Sequence, residues 1–146
     1  MVGLECFYDI RDDEELRKKY DEVWVITINS PNNIPLSFSH VPELAPTEET
    51  LEILKSCRTP RGFDMEVFSN RFAPQYLVDI VLSDKPNKIL HRLIQLSSKG
   101  RRIAIAALTK EEERCYRSIL GGFLQRLGHE VKAEKDYSAL VSDFSY

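Results

Sequence analysis

Cysteine and histidine are scarce in this chain, which has three of each among 146 residues. Cys6, Cys57 and Cys115 lie far apart, and neither a CxxC nor an HxxxH spacing occurs. The sequence therefore predicts free thiols in a reducing compartment and no metal site. No apolar run approaches the ~18–20 residues that span a bilayer, and the acidic N-terminal segment lacks the order of a signal peptide. We expect a cytoplasmic protein with no membrane contact and no cofactor.

Charge is unevenly distributed along the chain, although the net charge is only −3. Residues 85–126 contain ten Lys or Arg against three Asp or Glu, which gives this segment a net charge of +7. A local excess of this kind attracts phosphate-bearing ligands. The alternative is that these side chains only cover the solvent-exposed faces of two helices. The acidic overall charge and the lack of a DNA-reading motif disfavour sequence-specific DNA binding.

Two apolar segments have the character of strands. Residues 23–28 are rich in β-branched and aromatic side chains and precede a turn-forming segment, which predicts a strand. Residues 103–108 form a continuous apolar run, typical of a strand that is buried on both faces of a parallel sheet. A short final strand is expected within residues 129–132.

Helical patterns occupy much of the remaining chain. A short helix is expected over residues 12–20, and an amphipathic one over 87–96 that ends at Gly100. Residues 109–112 read Thr-Lys-Glu-Glu, which predicts a capping box at the start of the next helix. Other helices should start beside capping or first-turn residues, which are Thr47, Asp64 and Pro74.

These elements predict one α/β domain over residues 1–146. Its expected architecture has three layers, with a mostly parallel, Rossmann-like open sheet flanked by helices. Residues 30–46 contain four prolines and form a long connection of the kind that carries functional loops. Residues 137–146 form a C-terminal tail to which no element is assigned.

The ends of the two predicted strands are the candidate site, because ligands of open α/β sheets bind beyond the C-terminal ends of strands. Ser30 follows one strand, and Lys110 follows the other. If the two strands are neighbours, their ends frame one cleft. We expect Lys110, Arg114 and Ser30 to contribute to a phosphate-binding site there.

Arg117 is the strongest candidate for ligand binding. Its guanidinium group offers a planar fork of donors to phosphate or carboxylate, and it lies off the apolar stripe of the predicted helix, on the face of Gly121. The small Gly121 and Gly122 would let a ligand or another element approach closely. The alternative is an exposed arginine paired with Glu113. Ser118, beside Arg117, could orient a ligand.

Cys115 is the candidate catalytic residue, and two interpretations of it stand side by side. It lies four residues before Ile119 and therefore extends the buried stripe, as a core thiol would. If the helix instead begins near Glu113, Cys115 falls in the first turn, where the helix dipole and neighbouring arginines favour the thiolate.

The order of these segments resembles the YeaO-like family of bacterial and phage proteins, a domain of unknown function. The resemblance spans about residues 23–132 and rests on the segments VWVITINS, ILHRLIQL and IAIAAL and on Cys115 and Arg117. It implies an α/β fold and a Cys-His-Arg signature after a buried strand. The family's histidine is Tyr116 here, and its strand-end cysteine, aromatic residue and glutamate are replaced by Ala107, Leu108 and Thr109.

Two functions follow from these observations. The first is a protein that binds a nucleotide or nucleic-acid phosphate at the strand-end cleft, with hydrolase or transferase chemistry as an extension. The second is a non-catalytic interaction protein, such as a phage accessory factor that binds a host protein. The departures from the family signature favour the second, whereas the local positive charge and the strand-end position favour the first.

Overall fold

The computed structural model describes residues 1–141 and is built on a parallel five-stranded sheet. Seven strands are present in this range: β1 (Val2–Cys6), β2 (Glu22–Val25), β3 (Ser39–His40), β4 (Arg58–Thr59), β5 (Gly62–Phe63), β6 (Ile103–Ala107) and β7 (Val131–Lys132). The main sheet has the order β3-β2-β6-β1-β7, whereas β4 and β5 form a separate antiparallel hairpin. The chain therefore has the predicted three-layer α/β fold, in one domain.

Helices cover both faces of the sheet. They are α1 (Phe7–Asp12), α2 (Glu14–Arg17), α3 (Glu48–Ser56), α4 (Met65–Val67), α5 (Ala73–Val81), α6 (Asp84–Ser98) and α7 (Tyr116–Arg126). A π-helical segment, Phe68–Phe72, joins α4 to α5, and 3₁₀ turns occur at Pro42–Leu44, Glu112–Arg114 and Ser138–Val141. Within residues 1–141, no helix is long and apolar enough to cross a membrane.

The sheet separates two apolar clusters, and β6 contributes to both. Ile103, Ile105 and Ala107 point into the larger cluster, whereas Ala104 and Ala106 point into the smaller one beneath α1. Because helices pack against both faces of the sheet, β6 is buried along its whole length. A pattern of alternating polar and apolar residues would place polar side chains in the core, so β6 is apolar throughout. The continuous apolar run thus correctly predicted a central strand.

Several predicted boundaries are confirmed by their capping contacts. The Thr47 hydroxyl accepts a hydrogen bond from the backbone N–H of Thr50 at the start of α3. The Asp64 carboxylate accepts from two N–H groups of α4. Pro74 is the second residue of α5, which continues directly from the π-helical segment. Gly100 has a φ of 93°, a left-handed conformation that glycine adopts freely after a helix.

Other boundaries differ from the prediction. The first predicted strand is shorter, since its ladder ends at Val25, and the short strand β3 lies unforeseen within the proline-rich connection. The predicted helix over 12–20 is only the four-residue α2, which Asp13 caps, and a separate helix, α1, ends at Asp12. Residues 138–141 of the unassigned tail form a 3₁₀ turn, and residues 142–146 lie outside the described range.

The predicted capping box at Thr109 is wrong. Residues 109–115 form a loop and a 3₁₀ turn, and α7 begins only at Tyr116, with Cys115 at its N-cap. The carbonyl groups of Thr109 and Lys110 instead accept hydrogen bonds from the Arg117 side chain. The loop wraps around this guanidinium, so these backbone groups do not enter a helix.

Gly121 and Gly122 allow other elements, not a ligand, to approach α7. A Cβ atom built on Gly121 would lie 2.7 Å from a methyl carbon of Leu4 in β1, and one on Gly122 would lie 2.3 Å from the carbonyl oxygen of Tyr137. The first glycine thus lets the helix pack closely on the sheet. The second admits the C-terminal segment that contains Tyr137.

Candidate functional site

The central crevice of the sheet lies between β1 and β6. These two strands are adjacent along their full length, with Cys6 paired in register with Ala107. After β1 the chain turns into α1 on one face of the sheet, and after β6 it continues to α7 on the other face. The chain therefore leaves the two strands in opposite directions, which is the topological switch point where α/β sheets bind ligands.

Arg117 lies beside this crevice and is almost completely buried, with 2% of its surface exposed. Its Nη1 donates to the carbonyl oxygen of Thr109 at 2.5 Å and its Nη2 to that of Lys110 at 3.3 Å. Within residues 1–141, its Nε atom has no hydrogen-bond partner and no carboxylate pairs with the guanidinium. The exposed arginine paired with Glu113 is therefore not what the structure shows. Burying an unpaired cation costs several kcal/mol in general.

A cavity of about 280 Å³ opens beside Arg117. Its walls come from the end of β1, the loop after β6 and the residues that follow β7, and its charged lining residues are Glu5, Asp9, Lys110, Glu112, Arg117, Lys132 and Glu134. This lining mixes three cations with four carboxylates. Two of the carboxylates already accept hydrogen bonds, Glu5 from Tyr20 and Glu112 from Tyr137.

Cys115 and Ser118 lie next to Arg117 in sequence but are not part of this cavity lining. The Cys115 thiol is completely buried in the main core. Burial raises its pKa, and the nearby Arg117 opposes this rise only in part. The Ser118 hydroxyl is also buried and donates to the carbonyl oxygen of Cys115 at 2.8 Å, a bond within the first turn of α7.

Ser30 and Arg114 are placed elsewhere. Ser30 is exposed and lines a second cavity, together with Leu108. Because β2 and β6 are neighbours, as the strand-end argument required, the two predicted ends do share this second cavity. Arg114 is exposed, and its guanidinium carbon lies 5.3 Å from the ring centroid of Phe63. The structure therefore joins Lys110 with Arg117 and separates both from Ser30 and Arg114.

The basic side chains of residues 85–126 also lie in separate parts of the fold. Arg101 and Arg102 lie at the N-terminal edge of the sheet, where they pair with Glu22 and Asp21 at 3.0 Å each. Hydrogen bonds from Arg102 lower the pKa of Asp21 to about 2. Only some of the basic residues of the segment 85–126 therefore lie near the crevice.

Four cavity residues were missed in the sequence because β1 was missed: Leu4, Glu5, Cys6 and Asp9. Cys6 ends this strand and is 6% exposed, and Asp9 lies in α1 one turn further on. The signal was present, since Val2, Leu4 and Cys6 alternate with a glycine and a glutamate as in a strand. This alternation covers only five residues, and the acidic segment that follows it favoured the prediction of a helix in this part of the chain.

Thiol reactivity should separate the three cysteines, all of which are free. We expect Cys6 to react with iodoacetamide at pH 7 at least about tenfold faster than Cys115 or Cys57, because it borders a cavity whereas the other two are completely buried. Mass spectrometry of peptides after brief alkylation measures the order. A denatured sample, in which all three should react, is the control. Faster labelling of Cys115 would support the thiolate interpretation instead.

Tyr116, at the position of the histidine in the Cys-His-Arg signature, has a structural contact. Its hydroxyl donates to the carbonyl oxygen of Ile26 at 2.7 Å and so ties α7 to the end of β2. Burial raises the pKa of this hydroxyl, which keeps it protonated at neutral pH.

The fold and the cavity together define a doubly wound α/β protein with a buried arginine at its topological switch point. The sequence profile of the DUF488-N3a family, described as the active DUF488-N3 subclade, matches residues 10–128. The chain therefore belongs to this family. No curated protein and no solved structure matches the chain.

This match supports in part the YeaO-like resemblance seen in the sequence, since that family is of the same kind as the DUF488 type. The Cys-His-Arg signature, the phage origin and the cytoplasmic location stay predictions. The matched range begins after β1, so it does not include Cys6 or Asp9.

Proposed function

We propose that this protein binds a phosphate-bearing ligand, a nucleotide or a nucleic-acid phosphate, in the cavity beside Arg117. The observation that supports this most is the buried guanidinium with an unpartnered Nε and no carboxylate partner within residues 1–141. Because Arg117 lines the cavity, an anion bound there would lie against its side chain and offset the cost of the buried charge. A structural arginine would more simply be paired with an acid.

The rest of the lining is compatible with an anion. Lys110 and Lys132 are exposed at the same cavity and would add to the attraction. Glu112 already bonds to Tyr137 and to the backbone of Glu134, which holds its carboxylate in place. Asp9 is exposed at the same cavity, and it is the carboxylate that we assign as the general base of hydrolase or transferase chemistry.

Ligand binding can be tested by isothermal titration with pyrophosphate and AMP at low salt. Lys110→Ala removes a charge from the cavity without disturbing buried groups, and we expect it to weaken binding about tenfold. Lys99→Ala is the matched control, since Lys99 is equally exposed but follows α6 at the opposite edge of the sheet. Arg117→Met keeps the side chain's length and should abolish binding; circular dichroism checks that it folds.

Equal weakening by both lysine variants would mean unspecific attraction to surface charge. No binding of either ligand to the wild-type protein would refute the proposal. In that case the interaction-protein alternative would take its place.

A further inference from the structure

Two large apolar side chains are exposed immediately beyond the central strands. Tyr8, two residues after β1, is 47% exposed, and Leu108, the first residue after β6, is 42% exposed. Both line a cavity of about 450 Å³ at the C-terminal edge of the sheet. Because they border the same cavity, they present an aromatic ring and an aliphatic side chain to it.

The remaining walls of this second cavity carry planar polar groups. The guanidinium carbon of Arg11 lies 5.3 Å from the centroid of the Tyr8 ring and is paired with Asp12 at 2.8 Å. Residues 29–33, of the sequence Asn-Ser-Pro-Asn-Asn, form the facing wall. Amide side chains offer both donors and acceptors, as the edge of a nucleobase requires, and an aromatic ring offers a stacking surface.

The two cavities are built from the same two chain segments. After β1, Cys6 and Asp9 face the cavity beside Arg117, whereas Tyr8 and Arg11 face the second cavity. After β6, Lys110 faces the first and Leu108 the second. The two separate cavities therefore border the same two turns of the chain, those after β1 and β6.

We propose that the second cavity is a nucleobase subsite, in which a base stacks on Tyr8 and contacts Leu108 and the polar loop 29–33. This inference rests on the proposed phosphate site and specifies its ligand as a nucleotide. Recognition by stacking tolerates different bases, because every base has a π-face. The subsite thus distinguishes nucleotides from simple phosphates and sugar phosphates.

The test compares four ligands in isothermal titrations: AMP, CMP, ribose 5-phosphate and adenosine. We expect AMP and CMP to bind the wild-type protein more tightly than ribose 5-phosphate does. Tyr8→Ala should weaken AMP and CMP between about 5-fold and 100-fold, which corresponds to the loss of one stacked base. It should leave ribose 5-phosphate unchanged. Tyr8→Phe, which keeps the ring, is the matched control and should bind all four ligands as the wild type does.

The outcomes separate the two proposals. If ribose 5-phosphate binds in a Lys110-dependent manner but AMP and CMP bind no more tightly, the base subsite is wrong and the phosphate site stands. If adenosine alone binds and depends on Tyr8, the base subsite stands and the phosphate site is wrong. Equal weakening of all ligands by Tyr8→Ala, or no binding of any ligand, overturns the inference.

Discussion

Replacing Gly122 by alanine should lower the free energy of unfolding by about 3 kcal/mol, at the upper end of the usual cost of overpacking. The added methyl carbon would lie 2.3 Å from the carbonyl oxygen of Tyr137 and 2.8 Å from its carbonyl carbon. Both are backbone atoms, which cannot rotate away as a side chain can. The segment that follows Tyr137 would have to separate from α7, although Tyr137 and Val141 are now buried.

Alanine in a helix is intrinsically more favourable than glycine by about 1 kcal/mol. A loss of stability in Gly122→Ala would therefore show that the contact with Tyr137 outweighs this helix propensity. Gly121→Ala is the matched control: it gains the same propensity, and its new methyl group meets the movable side chain of Leu4. We expect it to destabilise the protein less. Urea denaturation measures both variants, and a Gly122→Ala protein more stable than the wild type would contradict the observed packing.

Replacing Glu112 by alanine should also lower the free energy of unfolding by about 3 kcal/mol. Glu112 is 5% exposed, and its Oε2 accepts from the Tyr137 hydroxyl at 2.6 Å and from the backbone N–H of Glu134 at 2.9 Å. Alanine would leave both donors without this acceptor. Burial and the bond to Glu112 raise the pKa of Tyr137, which keeps its hydroxyl a donor at neutral pH.

A double-mutant cycle can assign this effect to the bond itself. Tyr137→Phe alone should cost about 1.5 kcal/mol, since one donor is lost while the ring stays buried. The double variant should be more stable than the sum of the two single effects predicts, by about 1 kcal/mol or more. Strict additivity in urea denaturation would mean that the two side chains do not interact in solution.

The elements with strong periodicity or caps were predictable from the sequence. The strand β6, the helix α6 and the start of α3 all follow from local patterns, since apolar spacing and capping residues act over a few positions. The helix stripe after Cys115 was also correct as far as Leu124, whereas Leu127 is half exposed. Local patterns failed where a distant group competes for the backbone, as Arg117 does for the carbonyl groups of Thr109 and Lys110.

The position of the candidate site was predictable only in part, since the predicted cleft lay between the ends of β2 and β6 and the cavity beside Arg117 lies next to β1. The sequence indicated the end of β6 and the residue Arg117, because strand ends bind ligands and arginine suits anions. It could not show that Arg117 is buried, since a charged residue off the apolar stripe ordinarily faces water. Nor could it bring Cys6 and Asp9 to the same cavity, because they lie about a hundred residues away in the chain.

By itself, then, the sequence determined a three-layer α/β protein with a buried strand that leads to a helix carrying Arg117. The tertiary structure decided what lies around that arginine. The pairing of β1 with β6 creates the switch point and brings Cys6 next to Ala107, and the close approach of the C-terminal segment to Gly122 closes the far side of α7. Both depend on contacts between residues remote in sequence, which no local pattern encodes.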